Sequence, residues 1–282
     1  MSFDDRLDGV NHSLGTVRMM MPSGSRPDDG HDKEFMNTLA KGLSVLSAFG
    51  KQRPVMTLSS AAAVANLSRA TARRVLRTLA QLGYVVQDGR AFSLTPRVLE
   101  LGFAYLSGQD WIDRALPMMK EVSEQLGESC SGSILQGVEI VYVARVPARR
   151  IMSTVLAVGS RLPAFHTSLG RAQLGYLDSA EIWRRLRSVR IEAYTPYTIT
   201  DFQALFDRVR ADREQGFSIV DEELEQGLRS IAVPVFDRAG QAVGAINLSG
   251  HTTRTTRNEM REKFLPELRR IAQRISQTPP PV

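Results

Sequence analysis

The sequence predicts an α+β chain in two units. The first is small, helical and closed by a β-hairpin; in the second, helices flank a mostly antiparallel sheet. Three observations predict this. No Asp or Glu stands between Phe35 and Gln87, so residues 35–97 carry nine bases against one acid, Asp88. In the same stretch apolar residues recur at helical spacing, then in two short runs around Asp88-Gly89. From Trp111 onward strand runs joined by tight turns alternate with helices at the ends and in the middle, the pattern of an α+β domain.

The 282 residues give room for two cores. Residues 1–34 carry four bases and seven acids without periodicity and read as a disordered leader. Residues 98–282 are nearly neutral, with 23 bases and 22 acids. The basic charge is therefore concentrated in one segment, the electrostatic footprint of a nucleic-acid-binding module. No apolar run is long enough to span a membrane, and "MSFDDRLDGV" is too polar for a secretory signal, so the cytoplasm is the expected location. Cys130 is the only cysteine, which excludes an internal disulfide, and Cys/His metal spacings are absent. No cofactor or metal is expected.

Each element follows in order. "EFMNTLAKGLSVLSAF" predicts a helix with Phe35, Leu39, Leu43 and Leu46 on one stripe, ended by Gly50 and Pro54. "TLSSAAAVAN" predicts a short helix capped by Thr57, with Asn66 at the left-handed position after it. Ser68 caps a third helix that runs to about Leu82 and stops at Gly83. "YVVQDGRAFSL" is a hairpin turning at Asp88-Gly89. Helix, helix, short turn, helix, hairpin is the order of a winged helix-turn-helix. A connecting helix begins near Pro96. Next come a helix from Trp111, strands "SCSGSILQG" and "VEIVYVARV" joined at Gly137, and helices "TSLGRAQLGYL", "SAEIWRRLRSV" and "DFQALFDRVRADREQ". Strands "FSIVDEEL", "RSIAVPVFD" and "QAVGAINLSG" precede a closing helix expected to bend at Pro266.

Phase decides what the third helix does. At about 100° per residue, Ala72, Val75, Leu76, Leu79 and Leu82 share one sector of the helix. Arg69, Arg73, Arg74 and Arg77 share another, with Ala70. An ordinary solvated face interleaves acids at i±4; here there are none. Ser68, Ala70 and Thr71 are small residues at the end where a recognition helix must approach base edges, and arginine suits guanine and phosphate alike. Arg90 at the hairpin tip is placed for a phosphate or the minor groove. These residues, with Thr57, are the candidate double-stranded DNA contacts. A basic RNA-binding module is an alternative, against which stands the lack of an aromatic-studded sheet surface in residues 35–97. A redox enzyme using Cys130 is a second, although the thiol has no resolving partner and no GxSxG, Walker A, HExxH or GxGxxG motif stands in context.

"NTLAKGLSVLSAF", "MTLSSAAAVANLSRATARRVLRTLAQLGYV" and "RAFSLTPRVLELG" resemble, element for element, the N-terminal winged helix-turn-helix of the IclR-type transcriptional regulators. "LPAFHTSLGRAQL", "GLRSIAVPVFDRAGQAVGAINLSG" and "LPELRRIAQRI" are similar to that family's C-terminal effector-binding domain. "GESCSGSILQGVEIVYVARVPARRIMS" and "GSRLPAFHTSLGR" resemble its regulators of aromatic-acid catabolism, those of the protocatechuate, β-ketoadipate and hydroxybenzoate routes. The resemblance implies a GAF/PAS-like effector domain with an antiparallel sheet and flanking helices. The implied domains are a winged domain at 35–95, a linker helix at 96–110, an effector domain at 111–276 and a tail at 277–282. It further implies a homodimer or dimer of dimers on palindromic DNA and a small organic acid as effector; the expected protein is a non-catalytic regulator acting through operator affinity or contact with RNA polymerase.

Carried over by position, the resemblance places Ser168, Leu169, Asp221, Leu228, Ser230, Asn247 and Ser249 around the effector. Asn247 stands where the family usually has serine, and Ser230 where it can have cysteine, which disfavours glyoxylate-like effectors and leaves a larger acid open. A buried carboxylate needs a charged or multi-donor partner. The candidates are Arg145, read as in phase with Val141 and Val143 on its strand, Arg149 and Arg150 after it, and His166.

Overall fold

A computed structural model describes residues 34–148 and 156–277 of the chain. Arg149 and Arg150, the expected tail beyond Gln277 and all but the last residue of the expected leader lie outside the described residues. The chain divides into two compact units, Met1–Gly102 and Phe103–Val282.

The first unit contains α1 (Asn37–Ala48), β1 (Val55–Thr57), α2 (Leu58–Val64), α3 (Arg69–Gln81), β2 (Val85–Asp88) and β3 (Ala91–Leu94). Local chemistry sets the boundaries. Thr57 and Ser60 form a reciprocal capping box at the start of α2. Asn66 takes φ 52°, tolerable there for its short polar side chain, and ends that helix. Ser68 then accepts from the Thr71 N–H to start α3. Gly89 at φ 55° makes the hairpin turn, and Asp88 pairs with Ala91 across a two-residue loop. The core is built from Val45, Phe49, Met56, Ala61, Val75, Leu76, Leu79, Val85 and Phe92.

Three expectations need correction here. Phe35, Leu39 and Leu43 are exposed, and α1 instead buries Val45 and Ala48. The stripe one helical step away won because Val45, Ala48 and Phe49 face α2 and α3. Leu82 is also exposed, since α3 ends at Gln81 and Leu82 is its cap residue. β1 was not anticipated: three residues before the Thr57 cap are too few to show alternation, yet they pair with β3 to give the sheet order β1-β3-β2.

The helix α4 (Val98–Leu106) runs through the division between the units. The second unit follows with α5 (Asp110–Leu126), β4 (Ser129–Gln136), β5 (Glu139–Val146), β6 (Arg161–Pro163), a 3-10 turn (Ala164–His166), α6 (Ser168–Leu174), α7 (Ser179–Arg187), α8 (Phe202–Gln215), β7 (Ser218–Asp221), β8 (Leu228–Phe236) and β9 (Ala242–His251). It closes with α9 (Arg257–Glu259), a π turn (Met260–Phe264) and α10 (Leu265–Gln277). All its pairings are antiparallel, in the order β6-β5-β4-β9-β8-β7. The three-residue β6 was not anticipated. The closing segment, expected as one helix bent at Pro266, instead carries a π turn before that residue: proline has no N–H and its ring crowds the carbonyl four residues back, so the preceding turn widens.

The sheet is buried on both faces. Cys130, Ile231, Val233, Val235, Ile246 and Leu248 face α5 and α10. Ile140, Tyr142, Ala232 and Ala245 face α6, behind which α7 and α8 complete a second core. Strand alternation therefore sends every other residue of β4, β8 and β9 toward α6.

Candidate nucleic-acid interface and effector site

On α3 the structure separates the faces as phase requires. Ala72, Val75, Leu76 and Leu79 are buried, while Arg69, Ala70, Arg73, Arg74 and Arg77 are exposed and Thr71 is half-buried. Ser68 Oγ lies 2.9 Å from Thr71 Oγ1 and caps the helix, so these hydroxyls hold the N-terminal turn. Thr57 Oγ1 is likewise engaged by the Ser60 N–H at 3.2 Å. Arg90 is exposed at the hairpin tip. A dense guanidinium face on a rigidly capped helix can meet phosphates and the major groove together.

In the second unit, register brings the carried-over residues into adjoining rows. Ser230 lies opposite Ser249, which lies opposite Ser129. In the next row Ala232 faces Asn247, Asn247 faces Ser131, and Ser131 faces Arg145. Arg145 Nη1 donates to Ser131 Oγ at 3.0 Å, and Asn247 Nδ2 donates to Ser249 Oγ at 3.0 Å. Leu228 begins the same face one row beyond Ser230, opposite His251. The result is a polar field on the α6 side of an otherwise apolar sheet.

Over that face lies the segment His166-Thr167-Ser168-Leu169, all buried. Gly170 permits the approach: a Cβ there would come 2.2 Å from the Ala164 carbonyl oxygen. Gln173, one turn on from Leu169, reaches down to donate to Ser133 Oγ at 3.1 Å and ties α6 to β4.

Several buried polar groups in this layer have no hydrogen-bond partner among the described residues: both His166 ring nitrogens, Ser168 Oγ and Asn247 Oδ1. His166 Nδ1 is 3.9 Å from Glu223 Oε2, too far for a hydrogen bond. Leaving such a group unsatisfied costs about 1–3 kcal/mol, and these lie on the α6 side of the sheet, whereas the orphaned Trp111 Nε1 belongs to the α5 core. Asn247 Oδ1 calls for a donor, Ser168 can give or accept, and Arg145 suits an anion. A cavity of about 1020 Å³ opens beside α5, lined by residues such as Leu116, Pro117 and Lys120 together with Arg145–Pro147, so Arg145 borders it as well as the polar rows; among the described residues none of the orphaned groups lines it.

Two readings are revised. Arg145 is not in phase with Val143: a β-bulge opposite Gly132/Ser133 inserts one residue, so Val143 and Ala144 both enter the α5 core and Arg145 shares the α6 face with Tyr142. Asp221 does not join the polar field. Its register partner is Arg229, which alternates away from Ser230, and its carboxylate is taken by Arg229 at 2.7 Å and Arg257 at 2.8 Å.

The acid that does reach this layer is Glu223, turned inward after Glu222 adopts φ 59°. It is buried and forked to the fully buried Arg171. Sequence reasoning missed both, because an arginine in "SLGRAQL" and a glutamate in "DEEL" look like surface charges until tertiary structure pairs them. Cys130 is fully buried, and burial pushes its thiol up to about 12. A thiol that stays protonated at neutral pH is a poor nucleophile.

Comparison with known proteins places these features in a family. Residues 38–89 match the model of the IclR helix-turn-helix domain, and residues 103–277 match that of the bacterial transcriptional regulator IclR C-terminal domain. The chain is 42% identical over 238 residues to the Pca regulon regulatory protein of Pseudomonas putida, covering 84% of this chain and 82% of that one. A crystal structure of a transcriptional regulator from Rhodococcus sp. RHA1 superposes with a TM-score of 0.77 at 42% identity, covering 86% of this chain and 98% of that one. The inducer-binding domain of the PobR transcription factor from Acinetobacter, solved as a double mutant with 3-hydroxybenzoic acid, gives a TM-score of 0.55 at 29% identity over 59% of this chain and 97% of that one.

Proposed function

The chain belongs to the IclR family of DNA-binding transcriptional regulators with an effector-binding C-terminal domain, and from that premise we propose how its residues divide the work. Residues 35–95 form the DNA-binding domain, 96–110 the linker and 111–276 the effector domain. Arg69, Arg73, Arg74 and Arg77 on α3 read the major groove and its phosphates, with Ser68, Ala70 and Thr71 at the approach and Arg90 of the wing on the adjacent backbone. The observation that carries this reading is the clean separation of buried apolar and exposed guanidinium faces on α3. Protein of this kind works in the cytoplasm, without catalysis, and passes its signal through operator affinity or contact with RNA polymerase.

The working unit is a homodimer, or a pair of dimers, on a palindromic operator whose half-sites lie about one helical turn apart. Two exposed apolar faces support this: Leu39 and Leu43 on α1 with Phe35 just before it, and α4, on which Leu99 is 73% exposed and no residue is buried. A helix this apolar, with Leu99, Leu101, Phe103 and Tyr105 all exposed, is a candidate for burial against a second copy.

The effector is a small carboxylate of aromatic-acid catabolism, an aromatic acid or a β-ketoadipate-pathway metabolite. Arg145 and Ser131 take the carboxylate; Ser168, His166 and Asn247 meet a second polar group, with Leu169, Leu228, Ser230 and Ser249 lining the rest. An acid that also carries a hydroxyl answers the orphaned Asn247 oxygen. The Acinetobacter domain bound to 3-hydroxybenzoic acid supports this class.

The test is operator binding by fluorescence anisotropy. Arg73→Ala/Arg77→Ala should abolish preference for the operator while the effector domain still responds to ligand in a thermal-shift assay. Retained operator preference in that variant would remove α3 as the reader.

A further inference from the structure

The C-terminal end of α3 is held from the start of α4. Helix ends leave their last carbonyls without intrahelical partners. After α3 the carbonyl of the cap residue Leu82, and that of Gly83 just beyond it, are both taken by side chains from the β3–α4 junction. Arg97 Nη1 donates to the Leu82 carbonyl at 2.7 Å. Thr95 Oγ1 donates to the Gly83 carbonyl at 2.5 Å, and the Thr95 N–H donates to the Tyr84 carbonyl at 3.0 Å.

Two further contacts hold the half-exposed Arg97 side chain. Its guanidinium carbon sits 5.2 Å from the centre of the Tyr84 ring, and its Nε lies 3.5 Å from Glu100 on the first turn of α4. Its own N–H approaches Thr95 Oγ1 at 3.3 Å. Gly83, at φ 79°, leaves the room: a Cβ there would come 3.3 Å from Arg97 Nη1. A cation at a helix C-terminus is also favoured by the helix dipole.

We propose that Thr95 and Arg97 are positioning residues that fix the DNA-reading helix α3 to the first turn of α4, so that the reader and the linker move as one body. The proposal rests on the reading of α3 as the DNA reader. Base readout depends on orientation, whereas phosphate attraction tolerates looseness, so loosening the clamp should erode sequence preference before it erodes binding. The linker is then a lever on α3, since α4 continues directly into the second unit.

The competing reading is that Arg97, half exposed, simply contacts a phosphate. The full chain would be titrated, across salt, with a duplex selected by the wild type from a random pool and with a shuffled duplex of the same composition. Arg97→Met and Thr95→Val should each cut the selected-over-shuffled affinity ratio about tenfold, comparable to one mismatched base pair. The salt slope on the shuffled duplex should not change, and Arg97→Lys should recover part of the loss. If Arg97→Met instead weakens both duplexes equally and lowers the salt slope by about 0.9, the value of one phosphate contact, while Thr95→Val has no effect, the proposal is overturned. An unchanged ratio in both variants overturns it as well. Should Arg97→Met fail to fold, Thr95→Val decides, since it removes one hydrogen bond and no charge. Loss of preference in Arg73→Ala/Arg77→Ala with an unchanged ratio in the clamp variants would sink the clamp alone; retained preference there would sink the reading of α3.

Discussion

Arg171 and Glu223 form a forked ion pair inside the second unit. Nη1 donates to Oε1 at 2.7 Å and Nη2 to Oε2, while Arg171 Nε donates to the Phe165 carbonyl at 2.6 Å. The pair ties α6 to the chain after β7 and anchors the turn that carries His166. It therefore shapes the polar layer from behind.

Breaking the pair from one side should be severe. Arg171→Met strands a buried carboxylate and should cost about 3–5 kcal/mol in urea unfolding, with the double change Arg171→Met/Glu223→Met costing less than the single one. Burial pushes the Glu223 carboxyl up, but the neighbouring His166 ring and the Arg171 fork more than reverse that and hold it below the usual carboxylate range. For an acid so depressed, the stabilisation is present above its unfolded value and is lost as pH falls through the folded one. Glu223→Gln should accordingly flatten the acid limb of the stability curve.

Asp212 has the opposite sign. Burial raises it from 3.8 to about 6, against the Ser218 hydroxyl that donates to it at 2.5 Å. Between those values the folded chain holds a proton that the unfolded chain releases, so this group weakens stability as pH rises through that window. The melting temperature of Asp212→Asn relative to wild type should therefore climb between about pH 4 and pH 6 and level off above that. A difference that is flat with pH would contradict the assignment.

The turn before the reader should be sensitive in a specific order. Asn66→Gly should be close to neutral, because glycine adopts φ 52° freely. Asn66→Val should cost about 1–2 kcal/mol for the left-handed backbone, and Ser68→Ala about 1 kcal/mol for the lost cap. Thermal denaturation of the three variants would rank them.

Ligand choice tests the polar layer. Thermal shifts should favour 4-hydroxybenzoate over 4-methoxybenzoate, which cannot donate to Asn247 Oδ1. Asn247→Ala should erase that preference, a loss of about 1–3 kcal/mol. Equal stabilisation by both acids in the wild type would show that Asn247 reads no donor.

What the sequence determined by itself is local. Caps, left-handed positions and helical phase depend on a few neighbouring residues, so Thr57, Asn66, Ser68, Gly89 and the two faces of α3 were legible as written. Strand runs bounded by tight turns likewise forecast β4, β5, β7, β8 and β9. Tertiary structure decided whatever depends on a partner distant in sequence. Only packing against α2 and α3 chose Val45 over Leu39 as the buried face of α1. Only cross-strand register aligned Ser230 with Ser249 and Asn247 with Ser131. A bulge in β5, invisible to a period of two, turned Arg145 toward α6, and a pairing across 52 residues made Arg171 and Glu223 interior groups. Charge in a sequence reads as surface by default, because burying it alone is too costly; it becomes core only when the fold supplies its counter-charge.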